Sequence, residues 1–230
     1  MTQSSTLSIG MVLFDGLTQL DLTGPYEVFA RMPGARVTLI APTYAPVRSE
    51  WGLTISPDAA FADAPPLDIL CVPGGWGVDA LLTNDELLDF LRARSEHARF
   101  TISICSGALL LGAAGLLRGY RATTHWMSLD LLPLLGATSV SERVVRDRDR
   151  ITSAGVTAGI DMSLTLADEL FGAEVAQCIQ LAIEYDPSPP FDSGSPRTAP
   201  DSVRTAVSLA NAPSLARRRS IIERIARGGA

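Results

Sequence analysis

Apolar residues along this chain alternate between short continuous runs and longer stretches with helical spacing. The continuous runs end at residues that favour turns, which is typical of strands buried on both faces of a sheet. The predicted strands are residues 7–14, 36–41, 67–72 and 100–104, with shorter candidates at 138–140, 144–146 and 151–152 and a hairpin at 47–49 and 53–55. The predicted helices are residues 85–97, the segment directly after Cys105, 127–135, 159–170, 173–183 and one or two amphipathic helices from residue 201 onward.

Strands that alternate with helices predict an α/β fold, with a mostly parallel sheet and helices on both of its faces. No break in composition divides the chain, so we expect a single domain over residues 1–230 with its core at about 7–190. Residues 186–200, which are rich in proline and serine, predict an irregular crossover. Residues 201–230 are then a carboxy-terminal helical extension.

The charge and composition exclude several classes of function. A net charge of −6 argues against a nucleic acid or an anionic membrane as the partner. Every basic residue is arginine, which excludes lysine Schiff-base chemistry and a P-loop lysine. Three cysteines without CxxC spacing imply no disulfide framework, and no stretch is long and apolar enough to span a bilayer. Without a targeting segment, the expected location is the cytoplasm.

Cys105 lies where the β-branched segment 100–104 changes into a segment rich in alanine and leucine. A sharp strand-to-helix turn presents its central side chain at the top of a sheet, as the nucleophile elbow of hydrolases does. The N–H groups and the dipole of the following helix favour the thiolate over the thiol. We therefore interpret Cys105 as a reactive thiol, with a buried structural cysteine as the alternative.

Asp21 is the candidate carboxyl group, because it lies near a helix start and close to the carboxyl end of the first strand, where parallel sheets bind ligands. Thr18 with Asp21 fits a capping box, whereas Pro25 fits a later helix start. Flanking leucines indicate partial burial, which raises a carboxyl pKa toward the range of a general acid. Glu27 is the rival, since a single turn of helix can aim it at the site instead.

The loop of Gly74, Gly75 and Trp76 follows the predicted strand at 67–72. Adjacent glycines let the backbone approach a ligand and donate N–H groups to a developing negative charge, although a plain tight turn explains them equally well. Ser106 is expected to cap the helix after Cys105, with a hydrogen bond to substrate or thiolate as the alternative.

Other polar residues are interpreted as structural. Cys71 and Cys178 are predicted core residues, and His125 is expected to be structural, with a general base as the alternative. The arginines at 217–219 predict a solvated helix face. Neither His97 nor His125 lies in a metal-binding pattern, so no metal is expected.

Taken together, these segments resemble the ThiJ/PfpI superfamily over about residues 7–190. The resemblance implies a flavodoxin-like three-layer sandwich with Cys105 on a nucleophile elbow, and a homodimer. The matching motifs are residues 21–29, 73–75, 104–107, 112–119, 121–126 and 155–161, in that order.

Within the superfamily, the chain looks closest to the isocyanide hydratases. That resemblance implies that Cys105 attacks a small neutral isocyanide to form a thioimidate, with Asp21 as the general acid and base and an N-substituted formamide as the product. Gly75, Trp76 and Ser106 would support the substrate, and no cofactor or metal is needed. The segments that carry this resemblance are residues 19–25, 143–147 and 189–196.

Two other functions stay open at this point, and a third is argued against. A redox or ligand sensor would use Cys105 as an oxidisable thiol. AraC-type transcription regulators share the motif at 122–126, but they need a DNA-binding domain of roughly 100 further residues, and too few follow the matched region. A glyoxalase- or deglycase-like enzyme would use the same thiol, usually with a glutamate in place of Asp21. A serine rather than a histidine after Cys105 argues against peptidases and glutamine amidotransferases.

Overall fold

A seven-stranded sheet forms the centre of the computed structural model, which describes residues 6–228. Its strand order is β10-β11-β7-β6-β1-β2-β5, and every neighbouring pair is parallel except β10 with β11. The strands are β1 Leu7–Val12, β2 Ala35–Ala41, β3 Val47–Arg48, β4 Thr54–Ile55, β5 Ala59–Ala60, β6 Ile69–Val72, β7 Phe100–Ile104, β8 Arg121–Ala122, β9 Thr138–Ser139, β10 Val144–Asp147 and β11 Arg150–Ser153.

Helices pack in two groups around the sheet, which confirms the predicted α/β fold with a flavodoxin-like arrangement of layers. One group is formed by α1, α5 and α6, and the other by α2, α3 and α4, over which α7 and a long 3-10 helix pack. The helices are α1 Gln19–Phe29, α2 Val78–Leu81, α3 Asp85–His97, α4 Gly107–Ala113, α5 Ala158–Phe171, α6 Ala173–Ala182 and α7 Asp201–Ala226, with 3-10 helices at Phe61–Asp63 and Trp126–Leu135.

The buried central strands explain the continuous apolar runs. All residues of β6 and β7 are buried, because helices cover both faces of the sheet and leave no polar side to alternate with. The predicted hairpin also forms, with β3 and β4 antiparallel. Residues 186–200 contain neither helix nor strand, as the composition of the predicted crossover indicates.

Several predicted elements differ from the observed ones. The strand predicted at 138–140 does form, as β9, but it pairs with β8 in a separate two-stranded sheet. The predicted helix at 127–135 is instead a 3-10 helix, and it contains Pro133. The sequence predictions did not include β5 or α2, which are very short. The extension is one helix, α7.

The sheet topology brings distant segments to one edge. Strands β1, β6 and β7 are parallel neighbours, so the segments that follow them meet at their carboxyl ends. These segments are the start of α1, the glycine loop and the turn at Cys105. No helix within residues 6–228 is long and apolar enough to cross a membrane. The first five residues, part of the prediction about targeting, lie outside the described range.

Candidate active site

Cys105 occupies a strained turn between β7 and α4. Its φ is +53°, in the left-handed region that a residue with a side chain rarely adopts. The backbone around it is held on both sides: its N–H donates to the Ser153 carbonyl at 3.1 Å, and Thr124 Oγ1 donates to its carbonyl at 2.7 Å. A Cβ at Gly107 would lie 2.3 Å from the Val72 carbonyl oxygen, so the turn requires glycine there. This geometry is that of the expected elbow.

Asp21 is completely buried, in the first turn of α1. The helix begins at Gln19 and contains Pro25, so a start at Pro25 is wrong. The capping box is also wrong, because Thr18 makes no side-chain cap and instead donates its hydroxyl to Glu50 Oε1 at 2.9 Å. The Gly74 N–H donates to Asp21 Oδ2 at 2.8 Å. Asp21 Oδ1 has no partner of good hydrogen-bond geometry within residues 6–228.

The Asp21 carboxyl and the Cys105 thiol influence each other's ionisation. Burial, and to a smaller extent the Glu50 carboxylate, raise the pKa of Asp21 to about 8 against the lowering effects of the Gly74 N–H and of hydrogen bonding by the Cys105 thiol. Burial and the Asp21 carboxylate raise the pKa of Cys105 well above its ordinary value. Two anions are therefore disfavoured in this space, and the pair holds at least one proton at neutral pH.

The helix N-terminus alone is therefore not enough to favour the thiolate form of Cys105, contrary to the sequence prediction. The Ser106 N–H, at the start of α4, lowers the Cys105 pKa, as do Arg218 and the Ser106 hydroxyl. These three contributions are outweighed by burial and by the charge of Asp21. A protonated Asp21 removes the second of these, so the thiolate is compatible with a neutral Asp21 and not with an ionised one.

The backbone N–H groups of the glycine loop already donate hydrogen bonds to other residues of the site. The Gly75 N–H donates to Ser106 Oγ at 3.0 Å, and the Gly74 N–H binds Asp21. Ser106 makes no side-chain cap to α4, so that prediction is wrong: its hydroxyl accepts from the Gly75 N–H and donates to the Gly75 carbonyl, and its backbone is helical rather than extended as at an N-cap. In this structure the loop N–H groups hold Asp21 and Ser106 rather than being free for a substrate anion.

A cavity of about 140 Å³ opens onto the Cys105 thiol. Of the residues predicted to support a substrate, Gly75, Trp76 and Ser106 all line it. Asp21 lies behind Cys105 and is not part of the lining. The remaining lining residues are Thr18, Glu50, His125, Met127, Val156, Leu215 and Arg218.

Glu50 and Arg218 are the charged residues of the lining, and neither is among the site residues predicted from the sequence. Glu50 follows β3, and its acceptance of the Thr18 hydroxyl fixes it beside α1. Arg218 is 6% exposed, so the interpretation of 217–219 as a wholly solvated face is wrong at this residue. No local pattern identifies it, because its burial depends on how α7 packs.

The structure also places the other residues considered from the sequence, which are Glu27, the two further cysteines and His125. Glu27 is exposed and paired with Arg31, so the structure does not support it as the rival carboxyl group. Cys71 is buried in β6 as predicted, but Cys178 is exposed on α6 and the prediction that it is a core residue is wrong. His125 lines the cavity, and burial followed by the charge of Arg218 lowers its pKa to about 4, so it is a neutral imidazole at physiological pH.

Within residues 6–228, no group of three or more histidine, cysteine or acidic side chains is arranged to hold a metal ion. The cavity lining offers the Cys105 thiol, the Glu50 carboxyl group, the neutral His125 imidazole and the Arg218 guanidinium, and the buried Asp21 carboxyl group interacts with the thiol from outside the lining. Such a set suits covalent addition of a thiolate to a small electrophile with proton transfer by the carboxyl group.

A model of the DJ-1/PfpI family matches residues 7–169. The chain belongs to the DJ-1/PfpI family. A ThiJ/PfpI family protein from Pseudomonas syringae has a similar structure, with a TM-score of 0.92 and 44% identity over 95% of this chain and 91% of that one. This agrees with the resemblance seen in the sequence.

Individual proteins similar to this chain have different names. The isonitrile hydratase of Pseudomonas putida is 53% identical over 96% of each chain. The HTH-type transcriptional regulator GbdR of Pseudomonas aeruginosa is 32% identical, and the match covers 78% of this chain but 51% of the regulator. The similarity to the hydratase thus includes the region of α7, whereas the family model ends before that helix.

Proposed function

We propose that this protein is an isocyanide hydratase, which adds water to an isocyanide and releases an N-substituted formamide. The observation that carries the proposal is the pairing of Cys105 with the buried Asp21 carboxyl group beneath a small cavity. The identity of 53% with an isonitrile hydratase supports the same reaction, since isonitrile is another word for isocyanide. The homodimer implied by the family resemblance stays a prediction.

The first half of the reaction uses the Cys105 thiolate and a protonated Asp21. The sulfur attacks the terminal isocyanide carbon, and the new C–S bond leaves an electron pair on that carbon. The Asp21 carboxyl group donates its proton to this pair, giving a thioimidate on Cys105 and an ionised Asp21. Its pKa of about 8 suits this step, because the acid is protonated at neutral pH and is not so weak that it retains its proton.

The second half returns the proton. Asp21, now a carboxylate, takes a proton from water while the oxygen attacks the thioimidate carbon, and this proton then passes to the nitrogen. When the tetrahedral intermediate collapses, its hydroxyl proton goes to Asp21, the C–S bond breaks and the formamide leaves. The balance is one isocyanide and one water consumed, with the thiolate and the protonated Asp21 restored.

The cavity limits the substrate to a small side group. Its volume of about 140 Å³ is close to that of an engineered apolar cavity, about 150 Å³, that holds benzene. Trp76, Met127 and Val156 supply apolar wall for a neutral group of that size. We therefore expect a cyclohexyl or phenyl isocyanide to fit better than a long or charged one.

The test is the conversion of cyclohexyl isocyanide to N-cyclohexylformamide, followed by mass spectrometry. We expect wild-type protein to turn over and Cys105→Ala to lose at least about 10³-fold in kcat/KM, because the nucleophile is removed. Cys178→Ala is the matched control, since this exposed cysteine lies outside the cavity lining, and it should keep wild-type activity. Absence of formamide from the wild-type protein between pH 6 and 9 would overturn the proposal.

A further inference from the structure

Arg218 stands out from its neighbours on α7. Its side chain is 7% exposed, whereas those of Arg217 and Arg219 are 65% and 45% exposed. Arg218 and Ile222 are the buried residues of the whole helix. Since these two lie one turn apart, they mark the face by which α7 packs against the 3-10 helix Trp126–Leu135 and against α2.

The Arg218 guanidinium is fixed from two sides. Its Nε donates to Asp79 Oδ1 on α2, and its Nη1 donates to Ser128 Oγ on the 3-10 helix at 3.1 Å. Arg217 adds a longer contact to the same carboxylate, with 3.9 Å between its Nε and Asp79 Oδ2. Arg218 Nη2 makes no hydrogen bond to any residue in the described range 6–228. Two partners thus hold the group while part of its donor capacity remains unused.

A buried ion pair of this kind is poor evidence of a purely stabilising role. Removing both charges from water costs several kcal/mol per ion, and well-packed apolar residues often stabilise a fold as much or more. An exposed alternative exists beside it, since Arg219 pairs with Asp130 and attaches the same helix to the same 3-10 helix. Stability alone therefore does not explain why Arg218 is buried.

Arg218 also lines the cavity above Cys105, together with Leu215 from the preceding turn of α7. The titratable groups that influence or line this space are Asp21 from α1, Glu50 from the segment after β3, and His125 before the 3-10 helix. His125 is neutral, and the other two are carboxyl groups. Arg218 is the cation of the lining, and Asp79 lies on its far side, outside the lining.

We propose that α7 completes the active site, with Arg218 as a positioning residue that stabilises the Cys105 thiolate against the surrounding carboxyl groups. This inference rests on the proposed function only through the role of Cys105 as the nucleophile. In the step concerned, Asp21 stays protonated. The S–H bond of Cys105 breaks, its proton goes to solvent, and the charge moves onto sulfur toward the guanidinium.

The ionisation of two residues in the cavity agrees with this role. Arg218 lowers the pKa of the Cys105 thiol, in opposition to burial and Asp21. It also lowers the pKa of His125, after the larger effect of burial. One guanidinium thus favours the neutral form of the imidazole and the anionic form of the thiol, and the anionic thiol is the form that nucleophilic attack requires.

The experiment measures the pH dependence of Cys105 alkylation by iodoacetamide, in a Cys178→Ala background that removes the exposed thiol. Arg218→Met keeps the length of the side chain without its charge, and we expect the midpoint of the pH profile to rise by about one unit. Arg218→Lys retains the charge and should return the midpoint toward that of wild type. Arg219→Met is the control on the same helix and should leave the midpoint unchanged.

Asp79→Asn separates charge from packing. It keeps the hydrogen-bond acceptor but removes the negative charge that offsets Arg218, so the midpoint should fall, opposite in direction to Arg218→Met. An unchanged midpoint in Arg218→Met, or a shift of both variants in the same direction, would overturn the inference. If Arg218→Met does not fold, Asp79→Asn is the remaining test. An alkylation midpoint that does not fall in Asp79→Asn would then overturn the inference. Alkylation requires no isocyanide, so these outcomes are independent of whether the protein hydrates one.

Discussion

Cys71 and Cys105 are both buried cysteines at the carboxyl ends of neighbouring parallel strands, but they differ in backbone geometry and access. Cys71 lies within β6, with Met11 and Ile102 as its strand partners and no exposed surface. Cys105 lies one residue beyond β7, with a positive φ and 6% exposure toward the cavity. Burial raises the pKa of both thiols, and so does the charge of Asp21.

What separates the two thiols is the set of groups that oppose these effects. Cys105 has the Ser106 N–H, the Ser106 hydroxyl and Arg218 to stabilise its anion, and among the described residues no such group acts on Cys71. Burial alone therefore does not make a cysteine inert or reactive. The turn provides access to the cavity, and the neighbouring dipoles and charges determine which thiol can ionise.

The largest expected difference between the two thiols is their rate of alkylation. At pH 8, iodoacetamide should modify Cys105 at least about 10³-fold faster than Cys71, because the core thiol reacts only when the sheet opens. The measurement is peptide mass spectrometry over a time course. Comparable rates at Cys71 and Cys105 would contradict the assignment of a selective nucleophile, and Cys178 provides the reference for an exposed thiol.

Asp21→Asn should lower the pKa of both thiols, Cys71 and Cys105, but it should also slow the proposed hydration reaction. The substitution removes a charge that raises both thiol pKa values, yet it also removes the proton donor of the proposed reaction. We expect kcat to fall by about 10²-fold or more, although Cys105 becomes easier to ionise. Intact-protein mass spectrometry should show a Cys105 adduct heavier by one isocyanide if water attack becomes slow. Wild-type kcat in Asp21→Asn would exclude the carboxyl group from proton transfer.

The same variant should change how stability depends on pH. The folded-state pKa of Asp21 is raised from 3.8 to about 8, so folding retains a proton that the unfolded chain releases. This contribution to stability is fully present below about pH 4 and is lost as the pH rises through about 8. Urea unfolding should therefore show wild type losing more stability than Asp21→Asn between pH 4 and pH 8, with Asp15→Asn as a control on the exposed turn after β1.

The smallest expected effect is that of Ser106→Ala. Removing the hydroxyl leaves the buried Gly75 N–H without its acceptor, which should cost about 1–3 kcal/mol in urea unfolding. It should also slow Cys105 alkylation, since the hydroxyl lowers the thiol pKa. Ser95→Ala is the control, because Ser95 shares a buried hydrogen bond with Thr101 away from the cavity. An equal effect of both variants on alkylation would show that Ser106 acts only through stability.

Much of this fold and site follows from local sequence. The buried parallel strands are evident because covered strands need continuous apolar residues, and Cys105 is evident because strand and helix composition change within one turn. Asp21 follows from the rule that the carboxyl ends of parallel strands meet at one edge. These features depend on neighbours in sequence or on simple topology.

The remaining features depend on contacts between distant segments. Arg218 pairs with Asp79, 139 residues away in the sequence, so its burial leaves no trace in a run of three arginines. Glu50 reaches the site only because a hairpin lies beside α1. The exposure of Cys178 could have been found, since Ala176 and Ile179 define the buried face of α6 and residue 178 falls outside it.

The positive φ of Cys105 has a consequence for how this protein can evolve. A non-glycine residue held in the left-handed region costs roughly 1–2 kcal/mol, and every folded molecule carries this cost whether or not substrate is present. Selection for stability alone would favour glycine at this position and would remove the thiol. The cysteine thus marks a trade-off between robustness and activity, and the close backbone packing at Gly107 and Thr124 is part of what allows the fold to tolerate it.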